Sequence, residues 1–239
     1  MTAEATAIVR PRARTVAGEA LSVYRRRFGI VAAIGVTLFA PLAIFETAAG
    51  VAIHDGFEAS GGRRFAAVVL WLGVALLMFG SALCAGFLDL LVGREFGRRE
   101  LPLRQAAREL PYRRLIAVDV LQTVLVGTAA LAGFVPGVAV FTLTCLAGPL
   151  VMLERSSAPR ALWRSTALTS KRFALALVVV SVPVAIEHQV LHGLELWLGF
   201  PVVVLWLVQC AAALVVLVPV VLCEIILAYD LAGETFARG

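Results

Sequence analysis

The stretch from Gly148 to Val180, GPLVMLERSSAPRALWRSTALTSKRFALALVVV, decides how the chain is read. It is apolar at both ends, and its middle carries Arg155, Arg160, Arg164, Lys171 and Arg172 against one acid, Glu154. Cations trapped between two greasy runs are the pattern of a loop that joins two membrane spans on the side where positive charge is retained.

The whole chain follows that pattern. Its 239 residues are 61% hydrophobic and 15% charged, with a mean hydropathy of +0.93. Soluble domains are about a quarter charged and less than half apolar. A soluble fold of this composition would lack the polar surface to cover itself, so the expected class is an all-α integral membrane protein. The net charge of +5 does not point to nucleic acid, because the cations form no basic face on a soluble module.

Crossing a bilayer takes about 20 mostly apolar residues. Six runs qualify: Phe28 to Ile53, Phe65 to Val92, Leu115 to Phe134, Gly137 to Leu153, Phe173 to Glu187 and Val202 to Leu227. The third and fourth are separated by a turn expected at Pro136-Gly137. Basic residues cluster before the first run, between Gly93 and Arg114, between Glu154 and Arg172, and at Arg238, leaving only Arg63 and Arg64 on the other side. Both termini are therefore expected in the cytoplasm of a bacterial inner membrane.

Each basic segment has one build. TVAGEALSVYRRRF precedes the first run, LPLRQAARELPYRRL the third and SAPRALWRSTALTSKRF the fifth. Each reads as a short amphipathic helix lying in the interface, followed by a hairpin of two spans. The expected architecture is six transmembrane helices as three hairpins, with internal repeats at about 15–92, 101–153 and 157–231. Residues 1–14 and 232–239 would be cytoplasmic tails. Arg104, Arg108, Arg160, Arg164 and Lys171 would face anionic lipid headgroups or a protein partner.

Ionisable groups inside a membrane are expensive and mark candidate sites. The intramembrane polar candidates are Glu46, Gln122, Glu224 and Asp230. Asp89 and Glu224 lie near cytoplasmic ends, where snorkelling would relieve them, and Asp119 is expected in a salt bridge with Arg113 or Arg114. Pro41, Pro149, Pro183 and Pro219 interrupt the spans, and PLAIFE, PLVMLE and PVVLCE each set an acid five residues after a proline. Proline frees a carbonyl one turn earlier, which can build a hinge or a binding site.

Other chemistries find little support. Cys84, Cys145, Cys210 and Cys223 sit singly in apolar runs and read as small hydrophobes. His188, His192 and Glu195 share a helical face, with His54 or Asp55 as a further conceivable zinc ligand, but a wet helix end is the plainer reading. No HExxH, GxSxG, P-loop or GxGxxG motif occurs. No metal, cofactor or nucleic-acid partner is expected; a homo-oligomer is compatible with the pattern.

PLVMLERSSAPRALWRSTALTSKRF, with Pro149, Leu153-Glu154 and Arg164-Ser165, resembles a segment of bacterial multi-pass proteins related to the membrane domain of glycerophosphodiester phosphodiesterases. PVVLCEIILAYDLAGE, closing on Tyr229-Asp230-Leu231, is similar to that family's last helix, and GEALSVYRRRFG to its first interfacial helix. The resemblance implies a membrane domain standing without the catalytic domain, whose His and acidic residues have no match here. The expected function is non-catalytic: binding or helping to move a lipid-like or hydrophobic small molecule, or serving as membrane partner of another protein. The alternatives are the permease subunit of an ABC-type exporter with a separate ATPase and, less in keeping with the residues, a membrane enzyme on lipid phosphodiesters.

Overall fold

A computed structural model describes residues 13–41, 43, 81–95, 108, 110–187, 189–190 and 202–236. Among them every regular element is helical and no strand occurs. In chain order they are α1 (Ala13–Arg26), α2 (Phe28–Pro41), α3 (Ser81–Glu95), α4 (Tyr112–Leu131), α5 (Phe134–Thr144), α6 (Ala147–Glu154) and α7 (Ala158–Thr169). A tight turn, Ser170–Arg172, leads into α8, which starts as Phe173–Ala176 and continues through 187. The last two are α9 (Val202–Ala212) and α10 (Val218–Phe236).

Four stretches are long and apolar enough to cross a membrane: Tyr112–Leu131, Phe134–Glu154, Ala158–Glu187 and Val203–Gly233. The described parts of the first two expected spans are the shorter apolar helices α2 and α3. α10 stays helical to Phe236, past the domain end expected at 231.

The hairpin between α4 and α5 turns at Ala132-Gly133, not at Pro136-Gly137. Gly133 adopts φ 137°, a conformation that costs side-chain-bearing residues strain. Pro136 sits inside the first turn of α5, where its missing N–H has no helical partner to lose. The corner between α6 and α7 turns at Arg155, whose φ of 50° is left-handed.

The core joins α3, α4, α6 and α10, with Leu88, Leu115, Leu146, Leu150, Leu222 and Ile225 fully enclosed. Between membrane helices lipid is as apolar as leucine, so close approach of backbones does much of the holding. Gly148 of α6 shows it: a Cβ there would stand 3.0 Å from Ala82 Cα and 3.1 Å from Ala82 Cβ on α3. The outward side of α4, by contrast, exposes Ile116, Val120, Val124 and Leu125, a surface suited to acyl chains. α1 buries Val16, Ala20 and Val23 and packs against α10, so its apolar stripe meets protein.

Prolines shape the last two long helices in the same way. LVVVSVPV and ALVVLVPV both widen into a five-residue π segment, Leu177–Ser181 and Ala213–Leu217, just before Val-Pro. Val218 N–H bonds to Ala213 O, five residues back. The next residue, Pro219, has no N–H, so Leu214 O loses both its α-type and its π-type donor. The Tyr24 hydroxyl on α1 donates to it at 3.0 Å. Burial pushes that phenol above its ordinary pKa.

Candidate functional site

Two polar features lie inside the bundle. The first begins on α4, where Leu115, Val118, Asp119, Gln122, Thr123 and Val126 are buried at helical spacing. The apolar members knit α4 into the core, and the polar members ride inward with them. Asp119, 1% exposed, accepts the Ala82 N–H at 2.9 Å and the Ser81 hydroxyl at 3.3 Å. No ion pair joins it to Arg113 or Arg114; both are exposed, and Arg114 donates to the carbonyl of Arg155. The expected salt bridge gives way because Asp119 points to the start of the described part of α3, where backbone donors are available.

Glu224 faces the same region from α10 and is only 6% exposed. It lies close enough to Asp119 for the two to act on each other electrostatically, and both reach Cys84 of α3. Cys145, at the corner between α5 and α6, is within reach of Glu224 as well. Glu224 thus has the Asp119 carboxyl and two thiols within electrostatic range in an apolar interior, without a tight cluster among the described residues. Glu224 makes no hydrogen bond among the described residues, and the Thr123 hydroxyl, one turn beyond Asp119, is buried without a partner. A carboxyl in such surroundings favours donors of hydrogen bonds or positive charge. Among the described residues, no group of three or more His, Cys, Asp or Glu side chains could hold a metal ion.

Glu224 and Asp89 are therefore not snorkelling residues. Asp89 is fully buried and accepts the Tyr229 hydroxyl at 2.8 Å, a bond between α3 and α10. The reason is register: both carboxyls lie on helix faces that pack inward, so they cannot turn to a headgroup.

The second feature is a broken helix. α5 ends at Thr144 and α6 starts at Ala147, with Pro149 unable to donate back across the gap. α7 repairs the break from the side. Ser165 Oγ donates to Leu143 O at 2.8 Å and accepts Leu146 N–H at 3.2 Å. Thr169 Oγ1 lies 2.9 Å from the same Leu143 carbonyl and 2.7 Å from Ser165 O in its own helix. Arg164 Nε pairs with Glu154 Oε1 at 3.2 Å, fastening α7 to the end of α6. Further on, the Thr142 and Ser181 hydroxyls meet at 2.7 Å. Thr169 and Ser181 are far enough apart in sequence to be separated by about 18 Å in a straight helix, yet touch adjacent residues of α5. The chain bends at Ser170–Arg172, where Arg172 leaves helical geometry with φ −135° and ψ 32°.

Of the residues singled out in the sequence, Gln122 and Glu224 are both interior, on α4 and α10. Asp230 is exposed on α10. Arg108, Arg160 and Lys171 are exposed, whereas Arg164 is engaged by Glu154 and is not a free headgroup ligand. Glu46, Arg104, His54, His188 and His192 lie outside the described residues. Sequence reasoning missed the clasp of Ser165 and Thr169, although two hydroxyls four residues apart on the apolar side of a helix are a readable sign. It also undervalued Asp119.

Comparison with family models, with curated proteins and with solved structures returns no match. What the interior can do is argued from its own residues.

Proposed function

We propose that the chain is a non-catalytic multi-pass protein of the bacterial inner membrane, with both termini cytoplasmic. It binds, or helps to move, a lipid-like or hydrophobic small molecule that carries a hydrogen-bond donor or a positive charge. The observation that carries this reading is Glu224: an interior carboxyl in an apolar helix, near Asp119 and without a hydrogen bond among the described residues. A polar group so placed is costly unless something answers it. The break between α5 and α6 and the π segments before Pro183 and Pro219 support the same reading, since irregular helical backbone inside a bundle can line a binding site.

The test is recovery of a bound amphiphile. The chain purified in mild detergent should release a defined lipid-like species on denaturation, and Glu224→Gln should reduce its amount severalfold while leaving thermal stability within a few degrees. An identical lipid complement in the two preparations would sink the reading. Co-purification of an ATPase in stoichiometric amount would instead favour the permease of an ABC-type exporter.

A further inference from the structure

α7 has two working faces. The inner one, Ala158, Ala161, Leu162, Ser165, Leu168 and Thr169, is buried, and its Ser165 and Thr169 reach the break between α5 and α6. On the outer one, Arg160, Trp163, Ala167 and Lys171 follow i, i+3, i+7, i+11 spacing, which keeps them within one stripe along the helix and its terminal turn. Arg160 and Lys171 are exposed, and Trp163 is 70% exposed, the most exposed of the described aromatic side chains. Arg155 at the preceding corner is exposed too. Among the described residues no acid pairs with Arg160 or Lys171, and Glu154, at the preceding corner, is paired with Arg164.

We infer that the Arg160–Trp163–Lys171 stripe of α7 is a binding surface for anionic lipid headgroups, and that its occupation steadies the α5–α6 break through Ser165 and Thr169. The chemistry is complementary. Indole rings favour the headgroup region, where one edge is apolar and the N–H is wet. Lysine and arginine beside them are drawn to a negatively charged leaflet. The coupling is short. Arg160 and Trp163 stand on the outside of the same two turns whose inside carries Ala161, Leu162 and Ser165. Holding the outer face against headgroups therefore restricts the motion that would lift Ser165 from Leu143 and Leu146.

This inference rests on the reading of the chain as a membrane protein, and the test separates the two. The full chain is reconstituted in nanodiscs of phosphatidylcholine alone, or with phosphatidylglycerol added. The Trp163 contribution, taken as the difference from Trp163→Phe, should shift to the blue and lose iodide quenching only when phosphatidylglycerol is present. Phosphatidylglycerol retention by native mass spectrometry should fall about fivefold for Arg160→Gln and again for Lys171→Gln, as expected for one surface cation each. Both side chains are exposed, so these variants should keep the fold. Amide exchange at Leu146 and Ala147 should slow in the anionic discs, and that slowing should vanish in the double variant. A chain that inserts normally but whose Trp163 signal ignores lipid charge overturns the inference alone. A Trp163 response without any change in exchange at the break overturns the coupling. A chain that fails to enter discs of either composition overturns both this inference and the membrane reading beneath it.

Discussion

Tyr24 and Leu214 lie 190 positions apart in the chain and are joined by one hydrogen bond, hydroxyl to carbonyl, at 3.0 Å. The bond exists because Pro219 cannot donate and Val218 donates elsewhere, so a carbonyl inside an apolar helix needs a donor from another element. α1 supplies it. A short basic helix thereby closes a defect in the last long helix, as α7 closes the one between α5 and α6.

Replacing that hydroxyl tests the arrangement directly. Tyr24→Phe keeps the ring, including its edge-on contact with Phe28 at 5.5 Å, and removes only the donor. It should destabilise the bundle by about 0.6–2 kcal/mol, the range for hydrogen bonds between membrane helices. Reversible unfolding in a mixed detergent series would read it. No change in the midpoint would mean that Leu214 O is satisfied in another way.

Ser165 should matter more than its size suggests. Ser165→Ala removes an acceptor from Leu146 N–H and one of two hydroxyls at Leu143 O. With Thr169 still in place at the carbonyl, the amide is the group left bare, and the expected cost is about 1–3 kcal/mol. Amide exchange at Leu146 should quicken before global unfolding. Thr169→Val, leaving Ser165 in place, should be milder, because no backbone donor then loses its partner.

Gly148 is a steric prediction. Its missing Cβ lets α6 lie against Ala82 of α3, and the nearest atom is backbone Cα at 3.0 Å, which cannot swing aside. Gly148→Val should force α3 and α6 apart and lower the yield of folded protein sharply, at a cost of about 3 kcal/mol or more. Gly86→Ala, which meets the flexible end of Leu115 at 2.7 Å, should be better tolerated. The order of their melting temperatures decides the matter.

The Arg164–Glu154 pair is partly exposed, with side chains 29% and 16% accessible, so its worth is limited by solvent. A double-mutant cycle with Arg164→Gln and Glu154→Gln should give a coupling of about 0.5–1 kcal/mol that shrinks in high salt. A coupling near zero would show that the turn at Arg155 and the Ser165 clasp hold α7 unaided.

Much of the helical class could be read from the sequence because it depends on composition. Apolar runs of membrane length announce themselves residue by residue, and α4, α5 and α6 lie close to the third and fourth runs, whereas α7, expected as a separate interfacial helix, joins the fifth run in one stretch, Ala158–Glu187. The turn at Ala132-Gly133 lies four residues before the expected Pro136-Gly137 because that pair carries the stronger local signal, while the choice between glycines is settled by which one meets Ala130. A Cβ at Gly137 would stand 3.1 Å from that residue's Cβ. The site was harder. Asp119 was assigned to its sequence neighbours Arg113 and Arg114, yet its partners are Ser81 and Ala82, on another helix. Pro219 could be recognised as a source of a free carbonyl. That Tyr24 answers it, and that Ser165 and Thr169 answer Leu143 O, depends on packing between distant helices, and no periodicity reports that. Trp163 drew no notice because a tryptophan in a greasy sequence reads as buried until its face is seen.

The clasp at the α5–α6 break has a further consequence for biosynthesis. Leu143 O and Leu146 N–H leave the ribosome well before Ser165 and Thr169, which complete them. The hairpin of α4 with α5 and α6 therefore gains its full set of backbone partners only once the start of α7 has been made. A chain truncated after Glu154 would keep Leu146 N–H without the hydroxyl that accepts it, whereas one extended past Thr169 could close the joint.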